Sequence, residues 1–446
     1  MVETARGSAD SAGVEMPRSR PSPRPWLVAA TLAILAEALF CFRLTIPSKL
    51  MFDEVHYVPA ARQLLTLGGA ANTEHPLVGK EIIALGMWLF GDTALGWRAL
   101  STLAGTATVL GVFWIALLMF GRVRTATIAA LLTLLNFTVY IQARIAMLDG
   151  FMAAFVVLGV ASLLWSMRAG GAKTAWSRWG LGAVLLGLAV GAKWAAVPFL
   201  IYAGAGFLAV RAIEARARGR SVWWALNAGG HRYWPGLAAV PALMVLGGVA
   251  IAVYFATFAP AFFYHMGPMT LSRLIAFQGE MYGQQTQVLP HHPYQSQWWS
   301  WPLMIRPIWY LYEQADGAQR GVLMIGNPAV LWGGLVAVLA CFWAAWRDRS
   351  AKLVAAAGLW AGAYLPWIVI PKSLGFFYYY YLPSIFLPVA IAAALGRFCK
   401  GRFEHWDEAY LIVAAGLFVI FFPILSAAPL HDAQDFRRWM WFPSWP

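Results

Sequence analysis

The sequence has few charged residues and few cysteines for its length. Of its 446 residues 12% are charged and 60% are hydrophobic, whereas a soluble globular domain usually carries about 25% charged residues. The three cysteines, Cys41, Cys341 and Cys399, fall in apolar runs or in a predicted cytoplasmic connection. These shortages exclude an ordinary soluble enzyme, and they predict neither a disulfide framework nor a cysteine-based zinc site.

Several sequence signatures of soluble enzymes are also missing. The chain has no internal repeat, no glycine-rich phosphate loop, no HExxH helix and no paired CxxC. What it has is a series of apolar runs from Trp26 almost to the C-terminus, many of them near the length of about 20 residues that a helix needs to cross a bilayer. The sequence therefore predicts an all-α membrane protein with about 11 transmembrane helices.

The basic residues indicate the orientation of the chain. Lys and Arg number 33 against 20 Asp and Glu, a surplus that in a soluble protein would suggest an acidic partner. Here they cluster in every second connection, as in Arg216, Arg218 and Arg220, which is the positive-inside pattern. We therefore predict no nucleic-acid binding, and we place two large loops, at about 49–93 and 259–321, on the non-cytoplasmic side.

The predicted organisation has three parts. Residues 1–25, rich in Ser, Pro and Arg, are expected to form a disordered cytoplasmic tail. Residues 26–427 form the transmembrane domain, and residues 428–446 form an external tail. The first apolar run is too long for a signal-peptide core and contains Glu37, so we predict a retained helix. The predicted elements include the spans 125–142, 322–346 and 353–370 and the interfacial helices 55–67 and 81–90.

Two adjacent acids, Asp53 and Glu54, follow the first predicted span. An acid in a loop at the membrane surface is most often only solvated. These two are flanked by Phe52 and Tyr57, and a carboxylate beside apolar and aromatic groups can be tuned to accept a proton from an attacking alcohol. The pair is therefore a candidate for general-base chemistry.

Three cations are predicted near the same surface. Arg43 and Arg98 lie near the outer ends of the first two spans, and Lys372 precedes the tenth. Each can extend from the membrane toward water. Alternatively, each can hold a phosphate whose negative charge grows as it leaves. The residues alone leave both interpretations open.

Aromatic and histidine residues crowd two later segments. The runs at 298–301 and 376–381 are expected to be mostly interfacial belts, with a minority of rings available to stack on a sugar. His291 and His292 are adjacent and therefore point apart. No third ligand at helical spacing accompanies them, so we predict no metal site.

The order of these motifs resembles the protein O-mannosyltransferases, from the first span to the tenth. The likeness is carried by the segments at 43–47, 52–57, 75–80, 96–98, 142–149, 191–194, 292–303, 306–310, 326–328 and 380–383. At 75–80 the chain reads HPLVGK where the family often has a second proline. The second large loop is too short for the MIR domain of eukaryotic members, which makes the chain resemble a bacterial member.

The resemblance implies the GT-C fold and an inverting transfer of mannose from polyprenyl-phosphate mannose to Ser or Thr of translocated proteins. By motif, Asp53 would be the base and Glu54 its support. Arg98, and by analogy Arg43 and Lys372, would lie near the donor phosphate. Further pocket candidates are His56, Tyr57, His75, Lys80, Arg144, Asp149, His292, Trp298, Arg306 and Tyr381.

The same resemblance implies where the protein works and with what. We expect a multi-pass protein of the cell membrane whose active site faces away from the cytoplasm. Its expected partners are the lipid-linked donor, the bilayer, secreted or membrane acceptor proteins, and the translocon. We expect no cofactor, and the metal requirement stays open.

Two other functions stay open. A transferase that modifies lipid A or another envelope glycolipid could share the acid pair, although the Trp-rich segment at 292–309 favours a protein acceptor. A transporter or lipid flippase often shows inverted repeats and ionisable groups in mid-membrane. In this sequence no repeat is visible, and the ionisable groups gather at one face.

Overall fold

The computed structural model describes residues 24–446, so almost all of the predicted tail at 1–25 lies outside the described residues. The α-helices in this part are α1 (Pro25–Cys41), α2 (Glu54–Leu65), α3 (Val78–Phe90), α4 (Ala94–Phe120), α5 (Val123–Leu134), α6 (Phe137–Gln142), α7 (Leu148–Ser166), α8 (Ala172–Ala192), α9 (Val197–Ala217), α10 (Val222–Leu226), α11 (Ala239–Ala256), α12 (Leu271–Thr286), α13 (Pro328–Asp348), α14 (Ala351–Tyr364), α15 (Tyr381–Phe398) and α16 (Trp406–Leu425). Two strands, β1 (Ile308–Ala315) and β2 (Ala318–Met324), form an antiparallel hairpin.

The chain is a multi-pass membrane protein. Among the described residues, eight helical segments are long and apolar enough to span a bilayer: Ala94–Phe120, Leu148–Ser166, Ala172–Ala192, Trp194–Ala217, Ala239–Phe263, Pro328–Asp348, Phe377–Phe398 and Gly401–Leu425. The apolar helices α1 and α5 are shorter, so the count of 11 spans stays a prediction. The interfacial helices expected at 55–67 and 81–90 correspond to α2 and α3.

Two predicted spans are interrupted. The one expected at 125–142 is divided into α5 and α6, because Asn136 caps α6 through the backbone N–H of Thr138 and also bonds to Ser384 of α15. The span expected at 353–370 ends as α14 at Tyr364 and continues only as a 3₁₀ turn. Pro366 lies in that turn, and it supplies no backbone N–H to continue an α-helix.

The helices approach one another closely in the bundle. Helix α7 packs against both α4 and α8, and α15 packs against α13 and α14. At Gly111 of α4, an added Cβ would lie 2.5 Å from a methyl carbon of Val157 on α7. Only a residue without a side chain allows this separation, which is how small residues bring membrane helices together.

The second large loop contains a β-hairpin that the sequence did not predict. Strand β2 includes Val322, so the expectation of a span starting there was wrong, and α13 begins only after the cap at Asn327. The hairpin turn holds Asp316 and Gly317 with φ of 47° and 74°, as a tight two-residue turn requires. Asp316 accepts hydrogen bonds from the backbone and side chain of Ser48, so the two large loops meet. We call this side of the bundle the loop face.

Candidate active site

A cavity of about 350 Å³ opens on the loop face. It is lined by Phe52, Asp53, His56, Tyr57, Asn72, Glu74, His75, Gln284, Gln285, Gln287, Leu289, His292, Ile308, Lys372, Ser373, Leu374, Phe376, Tyr378 and Tyr379. Six residues chosen from the sequence are therefore brought together: Asp53, His56, Tyr57, His75, His292 and Lys372. They come from the two large loops and from the segment before α15.

Asp53 stands at the cavity wall immediately before α2. The preceding Phe52 has a φ of 49°, a left-handed conformation that is unusual for a bulky residue. Its ring stacks on Tyr310 of β1 at a centroid distance of 4.1 Å and meets the edge of Tyr378 at 5.4 Å. These aromatic contacts fix the backbone next to the acid, so the position of Asp53 is defined by packing.

The surroundings of Asp53 tune its carboxyl group. Burial raises the pKa of Asp53 to about 6, with nearby Lys193 lowering it and Asp149 raising it. The hydroxyl of Tyr57 lies 3.4 Å from Oδ2 of Asp53. A carboxylate with a pKa near 6 is ionised at neutral pH and still accepts a proton readily, which suits a general base.

Glu54, the adjacent acid, is in a different environment. Its side chain is fully buried, and Oε1 and Oε2 each accept a hydrogen bond of 2.7 Å from Arg98 of α4. The backbone N–H of Ala146 donates to Oε1 at 2.9 Å, and that of Met51 donates to Oε2 at 3.0 Å. With both oxygens occupied, Glu54 joins the first loop, α4 and the segment before α7.

Arg98 is fully buried beneath the first loop and lies outside the cavity lining. Besides its two bonds to Glu54, its remaining N–H groups donate to the carbonyls of Leu44, Pro47 and Lys49. All five donors are therefore used within the protein, and the side chain does not extend to the interface. The structure places Arg98 as a support for the loop that carries Asp53, not beside the cavity where a donor phosphate was expected.

Arg144 and Arg43 also lie outside the cavity lining. Arg144 is buried and donates hydrogen bonds to the carbonyls of Phe40, Phe42 and Arg43 at 2.5–3.1 Å. These carbonyls lie at the C-terminal end of α1, where a cation is favourable. Arg144 thus holds the end of α1 from which the first loop departs.

A second ion pair lies just behind the cavity. Lys193 donates to both oxygens of Asp149 at 2.8 and 2.9 Å, and both residues are buried. The ammonium group is 5.5 Å from the ring centroids of Tyr378 and Tyr379, which line the cavity. Sequence reasoning included Asp149 but not Lys193 among the site candidates, although a lysine between two apolar helices was a usable signal.

Lys372 lines the cavity directly. Burial, together with the nearby charge of Lys193, lowers its pKa to about 8. Burial also lowers the pKa of His75 well below its usual value, so this imidazole is neutral at physiological pH. The cavity therefore combines a basic carboxylate with a cation in its lining.

The remaining candidates lie elsewhere. Lys80 is buried under the first loop and donates to its backbone carbonyls, and Arg306 donates to carbonyls of the C-terminal segment. Trp298 packs against α14, and Tyr381 is buried in α15. None of these four residues lines the cavity. Within residues 24–446, no three His, Cys, Asp or Glu side chains are placed to hold a metal ion.

Gln284 and Gln285 of α12 are cavity residues that sequence reasoning missed. Gln284 accepts a hydrogen bond from Thr73 at 2.9 Å, and Gln285 donates to the carbonyl of Glu74 at 2.7 Å. More than 200 residues separate the partners in the chain, so no local pattern indicated these contacts.

Two family models match the chain in succession. Residues 92–264 match the dolichyl-phosphate-mannose-protein mannosyltransferase model, and residues 270–445 match the C-terminal four-TMM region of protein-O-mannosyltransferase. The chain belongs to the protein O-mannosyltransferase family. It is accordingly a membrane glycosyltransferase, as the motif order predicted.

Curated relatives agree over nearly the full length. Polyprenol-phosphate-mannose–protein mannosyltransferases of Mycolicibacterium smegmatis and Mycobacterium tuberculosis are each 28% identical to this chain. The alignments cover 94% and 95% of this chain and 93% and 92% of the relatives. An undecaprenyl phosphate-alpha-4-amino-4-deoxy-L-arabinose arabinosyl transferase of Edwardsiella ictaluri is 30% identical, over 40% of this chain and 32% of that protein.

Solved structures confirm the predicted GT-C fold. A Saccharomyces cerevisiae protein O-mannosyltransferase in the Pmt1-Pmt2 complex bound to the sugar donor has a TM-score of 0.78 at 13% identity, covering 96% of this chain and 93% of that one. ArnT from Cupriavidus metallidurans bound to undecaprenyl phosphate has a TM-score of 0.57 at 16% identity, covering 90% and 65%. At these identities the likeness concerns the fold alone.

Proposed function

We propose that this protein transfers mannose from a polyprenyl-phosphate-mannose donor to Ser or Thr hydroxyls of proteins, with inversion at the anomeric carbon. Transfer of mannose from a lipid donor to protein is the activity named for the mycobacterial relatives. The observation that carries the proposal is that two adjacent acids have different surroundings. Asp53 lines the cavity, whereas Glu54 is buried and fully hydrogen-bonded.

In the proposed reaction, the acceptor hydroxyl attacks the anomeric carbon from the face opposite the phosphate. Asp53 takes the hydroxyl proton as the new C–O bond forms. The bond between the anomeric carbon and the phosphate oxygen breaks, and polyprenyl phosphate leaves with the electron pair. Lys372 in the cavity lining, and Lys193 behind the tyrosine rings, supply positive charge toward the leaving group.

The position of the cavity fits a lipid-linked donor. Such a donor keeps its chain in the bilayer and presents its phosphate at the membrane surface, where helix ends meet the large loops. In the sequence pattern, the basic connections lie on the side of the membrane opposite the large loops. We therefore propose that the reaction takes place at the non-cytoplasmic face of the cell membrane, on secreted or membrane proteins.

The test uses the purified protein in liposomes that contain lipid A, with radiolabelled polyprenyl-phosphate mannose and a Ser/Thr-rich acceptor polypeptide. We expect label to move to the polypeptide, to be released by β-elimination, and to be absent with Asp53→Asn. Label in an envelope glycolipid instead would favour the lipid-modifying alternative. Donor that is bound but transferred to neither acceptor would contradict the proposal.

A further inference from the structure

Helix α12 presents an unpartnered apolar stripe on the loop face. Leu271, Ile275 and Tyr282 on this helix are 79%, 65% and 56% exposed. At 100° per residue these three positions lie within about 40° of one another around the helix axis. The exposed apolar groups therefore share one side of the helix, where half-buried Gln278, which accepts a hydrogen bond from Tyr254 of α11, lies between Ile275 and Tyr282.

The helix has two other sides, one buried and one charged. Leu274, Phe277 and Met281 are buried, and they centre about 110° from the stripe. The exposed pair Arg273 and Glu280, 3.6 Å apart, lies about 170° from it. One side of α12 thus packs on the protein, and its apolar and charged sides point in nearly opposite directions. A helix lying along the boundary between lipid and water has this arrangement.

The stripe follows a membrane span closely in the chain. The span Ala239–Phe263 exposes Met244 and Ile251, and it ends with Phe263 at 69% exposure. Met266, at 71% exposure, lies in the short connection between this span and α12. The connection also exposes His265 and Thr270, as expected where the chain leaves the hydrocarbon region and runs along the membrane surface.

We propose that α12 is an interfacial helix whose stripe of Leu271, Ile275 and Tyr282 inserts into the lipid leaflet on the loop face. The occupant of the stripe is lipid, because α12 begins only a short connection after an apolar membrane span and its apolar side is opposed by a charged side. Helix α12 also carries Gln284 and Gln285, which bond to the first loop. Insertion of α12 thus holds one wall of the cavity at the membrane surface.

The experiment places a fluorescent label on either side of α12 in the full chain. Cys41, Cys341 and Cys399 are replaced by alanine, and a single cysteine is introduced by Ile275→Cys, with Leu271→Cys as a second probe. Glu280→Cys is the matched control on the charged side of the same helix. Each labelled protein that elutes as a single species is reconstituted in nanodiscs of zwitterionic and anionic phospholipid.

Two quenchers then report the surroundings of each label. Lipids carrying a doxyl group near the headgroup should quench the labels at Ile275 and Leu271 severalfold more than the label at Glu280, and aqueous iodide should give the reverse order. Iodide quenching at Ile275 equal to that at Glu280 would show a water-facing helix and overturn the proposal. Protection of Ile275 from both quenchers would show a protein partner or second copy, and would overturn it equally. Neither readout depends on transferase activity.

Discussion

Arg98 and Glu54 form an ion pair in which neither side chain is exposed and both carboxylate oxygens bond to the guanidinium group at 2.7 Å. The pair joins α4 to the first large loop, 44 residues away in the chain. It therefore holds the backbone on which Asp53 stands. Its role and that of Asp53 can be separated by experiment.

Breaking the buried pair should destabilise the protein. Glu54→Gln leaves the Arg98 charge buried without a counter-ion, and Arg98→Met leaves Glu54 in the same state, so each should lower the free energy of unfolding by about 3–5 kcal/mol. The double variant should lose less than the sum of the two. Thermal unfolding in one detergent at one pH measures the three changes. Strictly additive losses would contradict a coupled pair.

Asp53→Asn should abolish transfer without this loss of stability. Removal of a general base typically lowers the rate by about 10²–10⁴-fold. Burial raises the pKa of Asp53, so the ionised carboxylate is disfavoured in the fold and a neutral amide is tolerated. Turnover and unfolding temperature are measured on the same preparation of each variant, and the values for Asp53→Asn are compared with those for Glu54→Gln. Near-normal transfer by Asp53→Asn would show that Asp53 is not the general base.

The rate should fall in acid. Asp53 has a pKa of about 6, and only its ionised form accepts a proton, so kcat/KM should decrease by about tenfold per pH unit below that value. The unfolding temperature, followed over the same range, separates protonation of Asp53 from acid unfolding. A rate that stays flat down to pH 5 while the protein remains folded would contradict the assignment.

Lys372→Met should weaken donor binding. A charge-assisted contact to phosphate contributes about 1.5–3 kcal/mol, which corresponds to an increase of about 10–150-fold in the donor Kd. The pKa of Lys372 is about 8, so donor affinity of the unaltered protein should also decline as the pH rises above that value. Lys352→Met, in the first turn of α14 on the basic side of the chain, is the matched control. Equal Kd values for both variants would leave Lys372 without a role in binding.

The motif around Asp53 shows how far sequence reasoning could reach. The membrane class and most helices follow from apolar length, because a chain in lipid must satisfy its backbone hydrogen bonds within each helix. Aromatic flanks and position singled out the acid pair. The break at Asn136 was not visible, since it depends on a contact with the distant Ser384. The hairpin was missed although its turn, Asp316-Gly317, is a local signal, because the apolar residues of β2 also extend the apolar run of α13.

Thus the sequence by itself determined a polytopic membrane enzyme with candidate chemistry at Asp53 and Glu54. From the sequence alone, the neighbouring carboxylates of Asp53 and Glu54 are chemically equivalent. Only the tertiary structure decided that Asp53 lines a cavity and that Glu54 is buried. The physical reason is that a buried carboxylate needs a full set of donors, and those of Glu54 come from Arg98 and from the backbone of Ala146 and Met51.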